Sequence, residues 1–169
     1  MSDLLEKILD KKNIDRAYQQ ICLREDTKAE NARYFDENWD RIQDQIRQRS
    51  YTPRTPAASM TDRIIQQGIA QILSPVCEAV FSEHCYGFQP DKNCEMAVCE
   101  LLRLRGEGYL WVVDIGLQNF YENEPEDRLM SLVHNMIHDG DTESLIRKYL
   151  KAGIMTQGMD AYRAENAAQ

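Results

Sequence analysis

Several absences narrow what this sequence can do before any motif is read. There is no CxxC pair, and the five cysteines, Cys22, Cys77, Cys85, Cys94 and Cys99, are odd in number. Neither a zinc knuckle nor a disulfide framework fits that pattern, so thiols buried in a reducing compartment are expected. No apolar run approaches the roughly 20 residues that cross a bilayer. The opening MSDLLEKILDKK is amphipathic and acidic rather than signal-like. A cytoplasmic chain with no membrane partner is therefore expected. Positive charge is also short: 20 Lys and Arg against 28 Asp and Glu give a net charge of -8. Nucleic-acid affinity comes largely from lysine and arginine neutralising phosphates, so the chain as a whole is not a basic binder. A local basic patch would work against a repulsive field. Serine nucleophile elbows, phosphate loops and dinucleotide fingerprints are missing as well.

What is present fits one domain. The chain has 169 residues, 43% of them apolar and 28% charged. That is enough for a core and a solvated surface over residues 1–159, with the small polar stretch 160–169 expected to be a flexible tail. Helical spacing dominates. Leu4, Leu5, Ile8 and Leu9, then Ile14, Ala17, Tyr18, Ile21 and Cys22, mark two helices with a break at Lys11 to Asn13 and Asn13 as the second N-cap. Arg24 to Asn31 is charged and without period, which predicts an exposed loop. Phe35, Trp39, Ile42 and Ile46 set a helix over 35–49, which Pro53 and Pro56 of YTPRTPAA interrupt.

Met60 to Phe81 carries the clearest apolar stripe. A capping box of Ser59 and Asp62 opens it, and Pro75 should kink or end it near Leu73 or Ser74. An aromatic loop over 82–90, turned by Gly87, leads to a helix over 94–104 with Met96, Ala97, Leu101 and Leu104 inward. A further helix presents Leu129, Leu132, Val133, Met136 and Ile137. A last one, after the turn Asp139 to Asp141, presents Leu145, Ile146, Tyr149 and Leu150 and runs to about Ala152, where Gly153 ends it.

One stretch breaks the helical rule. In Tyr109 to Tyr121, YLWVVDIGLQNFY, the run Leu110 to Ile115 is apolar and β-branched between glycines, which predicts one buried strand. The fold class is thus α+β, predominantly α-helical. Asp114 leaves the end of that strand, where chemistry can be fixed in place, although strand-end aspartates more often serve turns. A single strand leaves its backbone donors and acceptors unpaired. It must pair within the chain, with Tyr51 to Pro53 or Gly153 to Thr156, or between two copies as a homodimer.

Two metal-like features read as structural. ENEPED, 122–127, places four carboxylates in six residues. Pro125 there suits a first helical turn and the acids meet the positive helix end, whereas flexible acidic turns lack the fixed geometry metals select. His134 and His138 are four apart on one helix face, yet no HExxH glutamate or third ligand accompanies them. They read as a solvated pair, and no metal site is assigned. An unrelated enzyme would need a nucleophile, base and oxyanion set, and none can be named.

Taken together, DRIIQQGIAQIL, FSEHCYGFQP, WVVDIGLQNFY, EDRLMSL and IRKYLKAGIM resemble, in the same order, the N-terminal half of group II intron reverse transcriptases, also called maturases. The resemblance runs from about Leu4 to Met155. It implies RNA-directed DNA polymerase ancestry and a partial right-hand fold, fingers and the start of the palm, with very little β-sheet.

The same resemblance locates departures. In the family an aspartate that binds catalytic magnesium precedes three residues and two aromatics. Counting back from Phe120 and Tyr121, that position is Gly116, and Asp114 matches a preceding non-ligand acid. Two-metal phosphoryl transfer needs carboxylates holding ions about 4 Å apart. Two residues along a strand, Asp114 is roughly 7 Å away. Tyr121 matches the family's sugar-gate aromatic.

The fingertip hairpin between Tyr51 to Pro53 and Thr61 to Arg63 is shortened, and Gln89 stands where the family has arginine. The resemblance stops after Ile154 and Met155, before the family's PQG segment and YxDD hairpin. The expectation is a degenerate, truncated, catalytically inactive relative with no catalytic residue and no cofactor, acting as a binding or scaffold module. One alternative is an RNA-binding fragment of a longer or split reverse transcriptase, gripping RNA weakly through Arg41, Arg47, Arg49, Arg54 and Arg63. Another is a homodimeric interaction module built on the unpaired strand.

Overall fold

The stripe that begins at Met60 becomes the axis of the molecule. The computed structural model describes residues 2–24, 29–54, 59–89, 91–116 and 126–152. Its helices are α1 (Asp3–Leu9), α2 (Lys11–Arg24), α3 (Ala29–Arg47), α4 (Met60–Glu78), α5 (Cys94–Gly106), α6 (Glu126–Ile137) and α7 (Gly140–Lys151). Among the described residues there is no strand. No helix among them is long and apolar enough to cross a membrane. Phe120, Tyr121, Glu122, Glu124, Gly153 to Thr156 and the tail 160–169 lie outside the described residues.

α4 forms because its first turn is closed from both directions. Ser59 Oγ accepts from Asp62 N–H at 3.2 Å, and Asp62 Oδ2 accepts from Ser59 N–H at 3.2 Å. This is the expected capping box, which satisfies donors that a helix start would otherwise orphan. Pro75 neither ends the helix nor stops it at Leu73, because α4 continues to Glu78. The missing N–H removes one rung close to the C-terminal end, where only a last turn remains to be held.

α1, α2, α3 and α6 all pack against α4. α2 comes closest at Gly68, where an added Cβ would lie 3.2 Å from Ile14 Cδ1 and 3.3 Å from Asn13 Nδ2. Asn13 is therefore not an N-cap. α2 starts earlier, at Lys11, with Asp10 Oδ1 accepting from Lys12 N–H at 2.9 Å. Asn13 Nδ2 instead donates to Ile8 O at 2.8 Å and Gly68 O at 3.1 Å, fastening the α1–α2 corner to α4.

Two apolar clusters result. Leu5, Ile8 and Leu9 of α1 meet Ile42 and Ile46 of α3, Ile65 and Ile69 of α4, Met130 of α6, and Leu145, Ile146 and Tyr149 of α7. Ile14, Ala17, Ile21, Phe35 and Ile64 form the second, with the Phe35 ring 5.8 Å from Tyr18 and 5.1 Å from Trp39. Each large aliphatic side chain buried this way contributes about 1.5–3 kcal/mol.

Several expectations shift. The charged stretch 24–31 is not a continuous loop, since α2 reaches Arg24 and α3 begins at Ala29. α6 turns Met130, Val133 and Ile137 inward and leaves Leu129 and Leu132 exposed, because the core offers it one narrow seam. α7 keeps its expected face, and Asp139 caps it by accepting from Thr142 N–H at 2.9 Å. In the aromatic loop the left-handed residue is Phe88, φ 56°, rather than Gly87. α5 forms but buries none of its residues, so Met96, Ala97, Leu101 and Leu104 have no core to face.

Candidate functional site

The stretch Tyr109 to Gly116 is set up by the end of α5. Gly108, φ 101°, lets Gly108 N–H reach Arg105 O at 3.1 Å and Tyr109 N–H reach Leu104 O at 3.2 Å, closing the helix in a Schellman motif. Among the described residues nothing covers the chain as it leaves. Trp111 is 95% exposed, and Val112, Val113 and Ile115 are 74–80% exposed. The buried strand is thus corrected to an exposed, non-helical segment. Among the described residues no strand pairs with it, and Tyr51 to Pro53, one of its proposed partners, is committed elsewhere, with Tyr51 in the main core. The β-branched pattern is real, but a strand needs neighbours to receive its hydrogen bonds and its apolar face.

Asp114 and Gly116 both lie on this exposed segment, and among the described residues a Cβ at Gly116 would meet nothing within 4 Å. Glycine offers no side-chain oxygen, and Asp114 supplies the only carboxylate of 109–116. Among the described residues no three His, Cys, Asp or Glu side chains converge on a metal position. Of the ENEPED acids that are described, Glu126 and Asp127 accept from Arg147 Nη1 at 3.1 and 3.0 Å, tying α6 to α7.

The five arginines separate into different roles. Arg41 and Arg54 border one polar cleft of about 300 Å³ between α3, the segment 50–54 and the start of α4, together with Tyr34, Ser50, Thr52 and Thr61. The Arg54 guanidinium sits 5.5 Å from the centroid of the Tyr34 ring and donates to its hydroxyl at 3.1 Å. Arg41 donates to Asn38 Oδ1 at 2.9 Å. Arg47 grips Glu6 through two bonds, 3.1 and 3.0 Å, which hold the Glu6 carboxyl below its usual range. Arg49 does the same to Asp141 at 2.9 and 2.6 Å, with the same downward effect. Arg63 is half-buried in the first turn of α4.

Sequence reading foresaw only part of what Asp62 does. Asp62 is fully buried and is more than a cap. Its Oδ1 accepts from the Tyr51 hydroxyl at 2.6 Å and the Tyr149 hydroxyl at 3.3 Å. Its Oδ2 accepts from Ser59 Oγ at 2.5 Å and Arg54 N–H at 3.3 Å, besides Ser59 N–H. A buried carboxylate is tolerated when its lone pairs are filled like this. Burial first, and then the charge and hydrogen bond of Asp62, push the Tyr51 hydroxyl far above its usual range; burial likewise raises Tyr149. The available signal was an aspartate in a place where capping boxes usually carry the longer glutamate.

No family model matches the chain. Individual proteins do. Over 97 residues, 57% of this chain, it is 32% identical to the Group II intron-encoded protein LtrA of Lactococcus lactis subsp. cremoris, covering 16% of that protein. It is 29% identical over 90 residues, 53% of the chain, to Nuclear intron maturase 1, mitochondrial, of Arabidopsis thaliana, covering 12% of it. It is 27% identical over 115 residues, 66% of the chain, to Protein YkfC of Escherichia coli, covering 30% of it. The resemblance to group II intron-encoded proteins and maturases read from the five ordered motifs is borne out. The matched stretch spans less than a third of each of these relatives.

Proposed function

With group II intron-encoded proteins as its relatives, we propose that this chain is a non-catalytic version of their fingers and first palm segment, acting as a binding or scaffold module. The observation that carries the reading is Gly116, a residue without a side-chain oxygen at the position where the resembled motif needs a metal-binding carboxylate. The shortened connection between Tyr51 and Asp62 supports it, because Arg54 and Ser59 there are turned to holding Asp62. The test is primer extension on the purified chain with magnesium or manganese, beside the variant Gly116→Asp. Background incorporation in both is the expected result, and templated nucleotide addition by the unmodified chain overturns the proposal.

A second reading follows from the exposed run Leu110 to Ile115. The module's partner is a second copy, pairing strand to strand and covering the apolar residues that α5 and this run present together. Light scattering at increasing concentration tests it, with Val113→Lys as the disrupting variant; a monomer at the highest concentration rejects it. The RNA alternative rests on Arg41 and Arg54 at the polar cleft, since Arg47 and Arg49 are paired with Glu6 and Asp141. Its signature is affinity that falls steeply with salt.

A further inference from the structure

At the corner between α6 and α7 the sequence shows two histidines, and the structure adds a carboxylate. Glu143 lies in the first turn of α7, mostly shielded from solvent, and its Oε1 accepts from Asp139 N–H at 3.1 Å. The same oxygen sits 2.9 Å from His134 Nδ1. A carboxylate can only accept, so His134 Nδ1 carries the proton. In the neutral ring this leaves the lone pair on Nε2, available to a metal ion, and a carboxylate behind a ligating histidine is the usual orienting partner.

His138 completes the pair. Its backbone N–H donates to His134 O at 3.0 Å, which keeps it one turn further along although its own φ is 47°. The two ring centroids are 5.2 Å apart at 85°. Both side chains are exposed, so both rings are open to an ion from solution. The solvated-pair reading rests on the lack of a third ligand; Glu143 is not that ligand but a partner that orients His134.

We propose that His134 and His138 form a two-imidazole site for a divalent transition-metal ion of the zinc class, with Glu143 as the residue that orients His134. The remaining coordination positions belong to water or to a partner's side chain. Imidazole nitrogen suits such ions and not magnesium, so the site is separate in place and chemistry from the region around Gly116.

The experiment is calorimetric titration of zinc chloride into the reduced full chain near neutral pH and at about pH 5.5, where histidine protonation competes. Histidine side-chain NMR is recorded alongside. One ion per chain should bind near neutral pH, weaken at the lower pH, and shift the ring signals of His134 and His138 but not of His84. His134→Ala should lower the affinity at least tenfold, and so should His138→Asn, chosen because asparagine tolerates positive φ. Glu143→Gln should weaken binding about 10–100-fold without abolishing it. Circular dichroism confirms that each variant stays folded. Zinc binding unchanged by both histidine variants would assign the ion to the cysteines and overturn the proposal, as would the absence of binding or of the His134 and His138 shifts.

Discussion

α4 and α5 are both capped helices rich in apolar residues, and they meet opposite fates. α4 buries Thr61, Asp62, Ile64, Ile65, Gly68 and Ile69; α5 buries nothing. α5 is held by local devices. Asn93 accepts from Met96 N–H at 2.9 Å, Gly108 closes the C-terminus, and Arg103 bridges Glu100 and Glu107. α4 adds tertiary burial to its cap. The difference teaches that capping and charge pairing decide whether a helix forms, while a facing surface decides whether it contributes to stability.

The largest expected break in this comparison is Asp62→Ala. It leaves the hydroxyls of Tyr51 and Tyr149 and the Ser59 and Arg54 donors without their acceptor, and should cost about 3–5 kcal/mol. Urea unfolding measures it. Next comes a matched pair: Ile65→Ala on α4 should cost about 2–5 kcal/mol, and Leu101→Ala on α5 should stay within about 0.5 kcal/mol. Equal losses at both sites would show that α5 is packed in solution.

A smaller effect lies in alkali. Tyr51 and Tyr149 have raised hydroxyls, so their contribution is complete below the free-tyrosine value of 10.0 and is lost as pH climbs above it. Circular dichroism with tyrosinate absorbance should show unfolding and ionisation together, and Tyr51→Phe should flatten that limb. The smallest effect is acidic. Glu6 and Asp141 are lowered from 4.5 and 3.8 by Arg47 and Arg49, so their contribution is present above those values and fades as pH falls through the depressed ones. Both pairs are partly exposed, so Glu6→Gln should remove only a slight part of the acid dependence of the unfolding midpoint.

Periodic apolar faces were the most legible part of the chain. The faces of α3 and α7, the N-terminal part of the α4 face and the Ser59–Asp62 box follow from spacing alone, because each is a local pattern meeting a core; Val80 and Phe81, expected on the α4 stripe, lie past its end at Glu78 and are exposed. Asn13 was misread because a cap and a long-range clamp use the same side-chain chemistry, and only the closeness of Gly68 decides between them. α6 was rotated because six apolar residues offer more than one stripe and the width of the seam picks Met130. The strand at Leu110 to Ile115 was overestimated because residue preference describes a surface to be covered and says nothing of whether a neighbour is there. At the candidate site, the reading of Gly116 rests on resemblance alone. Glu143 beside His134 was not legible, since the two meet across a helix corner.

Asp62 is answered by Tyr51 from upstream and by Tyr149 from 87 residues downstream. On the ribosome, the early helices emerge with that carboxylate already in place but with its last donor still unsynthesised. Until α7 leaves the exit tunnel, water must stand in for the Tyr149 hydroxyl, so the last hydrogen bond to Asp62 waits for nearly the whole described chain to be made.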